Sequence, residues 1–362
     1  MVSVRLENVT KIVGGRPLVD DLTLDIKSGE LVALFGPPGS GKTTVLRLIA
    51  GLDTVTSGKI YIDEQLVNDL SPARREVGMV FQSFALYPTY TVFDNLAFPL
   101  RKKGLSQSEI KNRVEGVAQK LGISHLLQKK PAFLSGGEKQ RVAIGRAIVK
   151  EPKVLLMDEP LTNLDAKLRI LVRTEIRRLQ QELGITTIVS TPDDQEALSI
   201  ADKIAVMRQG KLIQYADTPT IYNKPSHLFV AQNIGTPQIN IIEAKLLTDG
   251  QTPLLDLKFT KVRIPESSLN LKEYVGKDVL VGLRPSEIRV SKNPLGVEQV
   301  KVRVEFIEPL GAESIVTLSA GEESLTAVVP PGTPLEIGEE AYMELEGATL
   351  HVFDKESGLA IV

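Results

Sequence analysis

LVALFGPPGSGKTTVLRLIAGL, residues 31–52, decides how the first half of this chain folds. The apolar run 31–35 reads as a short buried strand, and 41–52 reads as a helix with Val45, Leu48, Ile49 and Leu52 on one face. Between them GPPGSGKTT (36–44) fits the pattern G-x-x-x-x-G-K-[ST] in the strand-to-helix setting that pattern requires. Gly36, Pro37, Pro38, Gly39, Ser40 and Gly41 form the turn, and Lys42, Thr43 and Thr44 open the helix. Glycines let the backbone curl until several N–H groups face inward, and the helix N-terminus adds donors and partial positive charge. Lys42 can reach β- and γ-phosphates, and the Thr43 hydroxyl can ligate Mg²⁺. ATP and Mg²⁺ are the expected ligands.

VLLMD (154–158), TTIVS (186–190) and IAVM (204–207) are similar compact apolar runs, with helical stretches such as 167–182 between them. Fully apolar strands alternating with helices predict a mainly parallel sheet covered on both faces. Asp158 ends its run, at the strand end where ligands bind in such sheets, and suits the Mg²⁺ shell. Glu159 suits a base aimed at an attacking water. The block 83–150 has a different texture: 107–121 is amphipathic at helical spacing through Ile110, Val114, Val117 and Leu121. It predicts a helical subdomain inserted in the α/β domain.

LSGGEKQRVAIGRA (134–147) raises the question of partnership. Ser135, Gly136 and Gly137 before a helix make a second anion site, or a plain helix cap. One nucleotide needs one phosphate loop. Two-fold pairing accommodates a second: each chain's serine-glycine loop would close over the ATP of the other, in an isologous homodimer.

Beyond about residue 236 the pattern becomes short strands separated by Gly and Pro turns: 279–284, 287–291, 300–308, 314–318 and 324–329. The expected architecture is an α/β P-loop NTPase domain over 1–235, a linker at GTPQIN (235–240), and an all-β, OB-like barrel within 236–362.

Composition removes several classes of function. Net charge is −2 with 24% charged residues, which argues against nucleic-acid binding by bulk basicity. The cysteine count is zero, so disulfides, thiolate metal sites and cysteine nucleophiles are excluded. No run of about 18 apolar residues is present and the N-terminus lacks signal-peptide features, so a membrane role would act through a partner.

These motifs together resemble the ATP-binding subunits of ABC transporters over the whole chain. In that resemblance GPPGSGKTT is Walker A, VLLMDEP (154–160) Walker B, LSGGE the signature and TNLDA (162–166) the D-loop. Gln82, in MVFQSFALYP (79–88), matches the glutamine that touches Mg²⁺ and senses the γ-phosphate. GLRPSEI (282–288), EPLGAES (308–314) and HVFDKESGLAI (351–361) resemble the regulatory domain of importer ATPases for sugars, polyols and glycerol phosphate, the maltose-importer type among them. Related domains serve importers of sulfate, iron, molybdate and polyamines, and a soluble non-transport ABC ATPase is the alternative from another class. The resemblance implies a cytoplasmic subunit on the inner face of the membrane, coupled to permease subunits and served by a separate solute-binding protein. A permease coupling helix would dock near SFALYPTYTVFDNLAFPL (83–100), whose aromatics could instead build the subdomain core.

Two positions depart from the family. KIVGG (11–15) offers Val13 where an aromatic usually stacks on adenine. In TTIVSTPDDQEAL (186–198) the position of the histidine that holds the γ-phosphate and attacking water is Pro192. The chain's three histidines, His125, His227 and His351, lie elsewhere in sequence. Local chemistry predicts a sound turn there, with Thr191 as N-cap, Pro192 at the first helical position, and Asp193 and Asp194 facing the positive helix end. Set against the resemblance, the missing histidine implies good ATP binding with slow hydrolysis, or a regulatory subunit that hydrolyses little.

Overall fold

The computed structural model describes residues 2–249, 252–264, 271–294, 299–345 and 348–361. Packing divides the chain into two compact units, Met1–Thr218 and Pro219–Val362.

The first unit carries two sheets. β1 (Val4–Val13), β2 (Arg16–Ile26), β4 (Ser57–Ile62) and β5 (Gln65–Leu66) form an antiparallel sheet ordered β2-β1-β4-β5. β3 (Leu31–Phe35), β6 (Val77–Val80), β7 (Val154–Asp158), β8 (Thr186–Thr191), β9 (Lys203–Arg208) and β10 (Lys211–Asp217) form the second, ordered β10-β9-β3-β8-β7-β6. Its neighbours pair in parallel except β10 with β9. The compact apolar runs are its central strands, and β3, β7 and β8 are buried along their whole length.

Helix α1 (Lys42–Ala50) is buried more widely than one apolar face predicts. Leu46 is buried along with Val45, Leu48 and Ile49, in one cluster with Leu6, Leu22 and Ile60 of the antiparallel sheet and Val32, Leu156 and Ile188 of the parallel one. The antiparallel sheet thus gives α1 a second apolar neighbour. Leu52, expected on the buried face, is 39% exposed because the helix ends first, at a left-handed Gly51.

The block between β6 and β7 is helical: α2 (Val92–Lys102), α3 (Gln107–Lys120) and α4 (Gly136–Ile148). Ser106 and Glu109 form a capping box on α3, and Ile110 and Val114 face inward. Helices α5 (Ala166–Leu183) and α6 (Asp194–Ile200) complete the unit.

Helix α7 (Thr218–Asn223) begins at the boundary, and α8 (Leu228–Asn233) follows in the second unit. Strands β11 (Asn240–Asp249), β12 (Thr252–Asp256), β13 (Lys261–Arg263) and β14 (Asp278–Leu283) share a five-stranded sheet with β20 (Leu350–Asp354). β15 (Arg289–Ser291), β16 (Gln299–Pro309), β17 (Ser314–Ala320), β18 (Glu323–Val329) and β19 (Glu340–Glu344) form the other. Their inward residues, among them Leu246, Val281, Val304, Leu318 and Met343, make one core. The segment 235–240, expected as a linker, falls within this unit, with Thr236 and Gln238 exposed and Gly235, Ile239 and Asn240 buried. Asn240 is buried and bonds the backbone of Leu283 and Thr326.

Arg284 and His351 are both buried here. The Arg284 guanidinium donates to the carbonyls of Tyr222 at 2.9 Å and of Ile234, and lies over the Tyr222 ring. Burial, with the Arg284 charge second, pushes the His351 imidazole down from 6.5 to about 4. A base held below its unfolded value contributes stability above pH 6.5 that is lost as pH falls through about 4, up to ~3 kcal/mol. Chemical unfolding should therefore show a loss of stability between those pH values that is much smaller in His351→Gln.

Candidate nucleotide site

Strands β3, β8 and β7 lie side by side with their carboxyl ends at one edge of the sheet. Register places Leu34 opposite Ser190, and Ser190 opposite Asp158. Ser190 and Asp158 therefore sit level on adjacent strands, and β3 runs on beyond Leu34 into the phosphate loop.

From β3 the chain enters the phosphate loop. A Cβ on Gly36 would sit 2.3 Å from the Met207 carbonyl oxygen. Gly41 has φ 104°, and a Cβ there would lie 2.6 Å from the Leu18 oxygen. Lys42 is buried and donates to the carbonyls of Gly36 at 2.7 Å and Pro37 at 3.0 Å. Burial pushes its ammonium below the usual lysine range, opposed by Glu159 and then Asp158. The Ser40 hydroxyl is buried and has no hydrogen-bond partner among the described residues. Pro37, Pro38 and Gly39 form the exposed crest of the loop, and Thr44 is half-buried behind Thr43.

Asp158 is the meeting point. Its Oδ1 accepts from the Thr43 hydroxyl at 2.9 Å and from the Ser190 hydroxyl at 2.7 Å. Glu159 follows with φ 43°, a left-handed conformation that disfavours a side chain by roughly 1–2 kcal/mol. Its N–H bonds the Ser190 carbonyl at 3.2 Å and hydroxyl at 3.0 Å. Its carboxylate accepts from Gln82 Nε2 at 2.9 Å and from the Thr162 hydroxyl at 3.3 Å. Asn163 in turn donates to the Gln82 carbonyl at 2.9 Å. Thr43, Gln82, Asp158 and Glu159 are thus one hydrogen-bonded set, joined by Ser190 and by Thr162 and Asn163 of the TNLDA segment, with the Lys42 charge facing Glu159 and Asp158.

The donor chemistry fits Mg²⁺ shared with a triphosphate. Thr43 and Asp158 offer two hard oxygens at one point, and no cluster of three or more His, Cys, Asp or Glu among the described residues could cage an ion alone. The partnerless Ser40 hydroxyl inside the loop also fits a site completed by phosphate oxygens.

The Ser135 side chain makes no hydrogen bond to this set among the described residues. Ser135 caps α4 in a reciprocal box with Glu138, so its local role as a helix cap is real. A Cβ on Gly137 would lie 2.8 Å from a Leu168 methyl, which explains glycine there by close packing. Among the described residues no hydrogen bond joins the Ser135 side chain to the phosphate loop. Val13 is 52% exposed at the end of β1, an apolar surface without an aromatic ring.

The turn after β8 differs from the expected one. Thr191 is the last strand residue, Pro192 is exposed, and the N-cap of α6 is Asp193, which accepts from Glu196 N at 2.9 Å. Thr191 is buried; its hydroxyl takes the Asp193 N–H at 3.0 Å and donates to Glu196 at 2.6 Å. A strand hydrogen-bonded through Thr191 outcompetes capping by it. Burial raises the Glu196 carboxyl, with Asp193 adding to the shift and Thr191, Arg169 and Arg173 opposing it. Arg169 bridges Asp193 and Glu196, each at 3.6 Å, and donates to the Leu164 carbonyl at 3.3 Å.

In the helical block the aromatics stay near the surface while Val92, Leu96, Ala97 and Leu100 fill the core. Tyr87, Tyr90 and Phe98 form a ring cluster, with Tyr87 and Phe98 centroids 4.8 Å apart. Buried Asn95 bonds both the N–H and the carbonyl of Tyr87. Arg146 donates to the carbonyls of Phe84 and Ala85 and lies over the Tyr87 ring. Ala85, Tyr87, Phe98 and Arg146 wall a groove of ≈ 450 Å³, lined also by Met79, Phe81 and Lys150.

The ABC transporter family matches residues 19–162, the MalK OB fold domain 235–288 and the TOBE domain 281–353. The trehalose/maltose import ATP-binding protein MalK of Thermococcus litoralis is 42% identical over 375 residues, covering 100% of both chains. The chain belongs to the ABC transporter ATP-binding proteins. Other relatives of this ABC ATPase include the oligosaccharides import ATP-binding protein MsmX of Bacillus subtilis, 39% identical over 100% of both chains. The sn-glycerol-3-phosphate import ATP-binding protein UgpC of Yersinia pseudotuberculosis is 39% identical over 100% of this chain and 99% of its own. Among solved structures, the dimeric ABC transporter cassette MJ0796 superposes with TM-score 0.54 at 34% identity, over 59% of this chain and 98% of its own. A second structure of MJ0796 is a dimeric post-hydrolysis state bound to ADP and Pi. The ABC ATPase fold and its C-terminal OB and TOBE regions agree with the architecture expected from sequence.

Because Gly41 combines a left-handed φ with a backbone oxygen at Cβ distance, Gly41→Ala should lower stability by about 1–3 kcal/mol and distort the loop. Thermal unfolding and binding of a fluorescent ATP analogue would show both effects, with affinity reduced roughly tenfold or more.

Proposed function

We propose that this protein is the ATP-hydrolysing subunit of an importer for a sugar or related polyol. The observation that carries the reading is full-length similarity, through both units, to import ATP-binding proteins named for maltose, oligosaccharides and glycerol phosphate. The reading adds membrane permease subunits and a separate solute-binding protein as partners. No described helix is long and apolar enough to cross a membrane, so attachment to the inner membrane face falls to the permease.

In this reading Lys42 and the loop N–H groups hold the β- and γ-phosphates, and Thr43 and Asp158 hold Mg²⁺, with Gln82 reaching it when nucleotide is bound. The ion supplies charge neutralisation on the phosphates. Glu159 orients the attacking water and takes its proton, and its bonds from Gln82 and Thr162 set the carboxylate direction. Ser135, Gly136 and Gly137 of a second copy close over the triphosphate, giving two shared sites. The dimeric cassette structures support that arrangement.

Pro192 has no side-chain donor, so the imidazole expected at that position is replaced by nothing of its chemistry. Loss of a positioned proton-handling group is worth roughly 10²–10⁴-fold in rate. The protein therefore binds ATP well and turns it over slowly. Glu159→Gln should abolish steady-state hydrolysis and accumulate an ATP-dependent dimer measurable by light scattering. A chain that stays monomeric under those conditions would overturn the shared-site reading.

The groove beside Tyr87 receives a coupling helix of the permease. Tyr87, 38% exposed, presents its ring at the groove, held by Asn95 and Arg146. Tyr87→Ala should leave basal ATPase intact in the isolated subunit but uncouple transport from hydrolysis in the assembled importer. Normal transport with normal stimulated hydrolysis would reject the assignment.

A further inference from the structure

Ser190 lies two residues before Pro192 in TTIVSTPDDQEAL, and its side chain bonds two residues of the site. It is 0% exposed, in the middle of the parallel sheet, so its hydroxyl has no solvent to bond. That hydroxyl donates to Asp158 Oδ1 at 2.7 Å and accepts from the Glu159 N–H at 3.0 Å. One donor and one acceptor site are thus spent on two consecutive residues with different roles.

The two bonds act on different degrees of freedom. The bond to Asp158 fixes which carboxylate oxygen faces the phosphate loop, and the same Oδ1 takes the Thr43 hydroxyl at 2.9 Å. The bond to Glu159 restrains a backbone N–H in a residue whose φ of 43° is disfavoured for a side chain. Side-chain direction follows from that backbone. Relaxing it would swing the Glu159 carboxylate away from Gln82 and Thr162, its two donors.

We propose that Ser190 is a positioning residue for ATP hydrolysis, holding the Asp158 carboxylate and the Glu159 backbone with one hydroxyl. In doing so it takes over part of the alignment lost with Pro192 two residues further on. The inference rests on the proposed roles of Asp158 and Glu159, and it fails separately from them: if Glu159→Gln keeps turnover, that reading falls whatever Ser190 does.

The test is Ser190→Ala, with Ser190→Cys as a near-isosteric partner that packs like serine but bonds weakly. A hydrogen bond to a charged group predicts a fall in kcat of roughly tenfold or more, with the KM for ATP within about twofold. Mn²⁺ serves as an EPR-visible probe in the presence of ATP, in a Glu159→Gln background that stops turnover. Its affinity should weaken severalfold in Ser190→Ala. Pro192→His should raise kcat by a larger factor in Ser190→Ala than in the parent chain, because both groups act on the same pair. If either serine variant keeps the parental kcat and Mn²⁺ affinity, the proposal is overturned. It is also overturned if kcat falls only in step with lost ATP binding, or if Pro192→His acts equally in both backgrounds.

Discussion

Asp158 Oδ1 accepts two hydroxyl hydrogen bonds, from Thr43 after β3 and from Ser190 on β8, and the rest of the site is arranged around that atom. Parallel pairing makes this possible. β8 lies between β3 and β7, and its register sets Ser190 level with both Leu34 and Asp158. A one-residue slip of β8 would turn Ser190 to the opposite face of the sheet, because strand side chains alternate. The fully apolar burial of β3 and β7 around these polar ends holds the register against such slips.

The same edge shows how the protein accommodates proline at 192. The turn is fixed from behind: Thr191 and Glu196 share a buried hydrogen bond, Asp193 caps α6, and Arg169 bridges Asp193 and Glu196. Arg169 also bonds the Leu164 carbonyl, so the turn after β8 and the segment after Glu159 are tied through one guanidinium. Charge-assisted contacts inside a half-buried cluster resist distortion more than exposed pairs do. Proline thus costs the backbone little at this place, and its consequence falls on chemistry.

Surface and core are sorted differently in the helical block. Small and branched side chains of α2 fill its interior, while Tyr87, Tyr90 and Phe98 gather at the surface under the hold of Asn95 and Arg146. Polar residues that fix an aromatic cluster by its backbone make a pre-shaped surface, and such a surface loses little entropy when a partner binds. In the second unit buried polar groups work inward instead: Arg284 donates to the carbonyls of Tyr222 in α7 and Ile234 after α8, and Asn240 bonds strand backbone at Leu283 and Thr326.

The sequence by itself determined the phosphate loop, the central strands, the helical insertion and the β-rich second half, because each rests on local pattern: glycine spacing, apolar runs, helical periodicity and turn residues. Asp158 and Glu159 were expected from the end of one apolar run, whereas Gln82 was expected only through the family resemblance. Leu52 and Thr191 were misjudged locally because tertiary packing, not propensity, ended α1 and kept Thr191 in β8. Only the tertiary structure decided that Ser190 meets Asp158 and Glu159, that Arg146 anchors Phe84 and Ala85, and that α1 is enclosed by two sheets. Those contacts join residues far apart in sequence, and strand register, which no local pattern encodes, selects them.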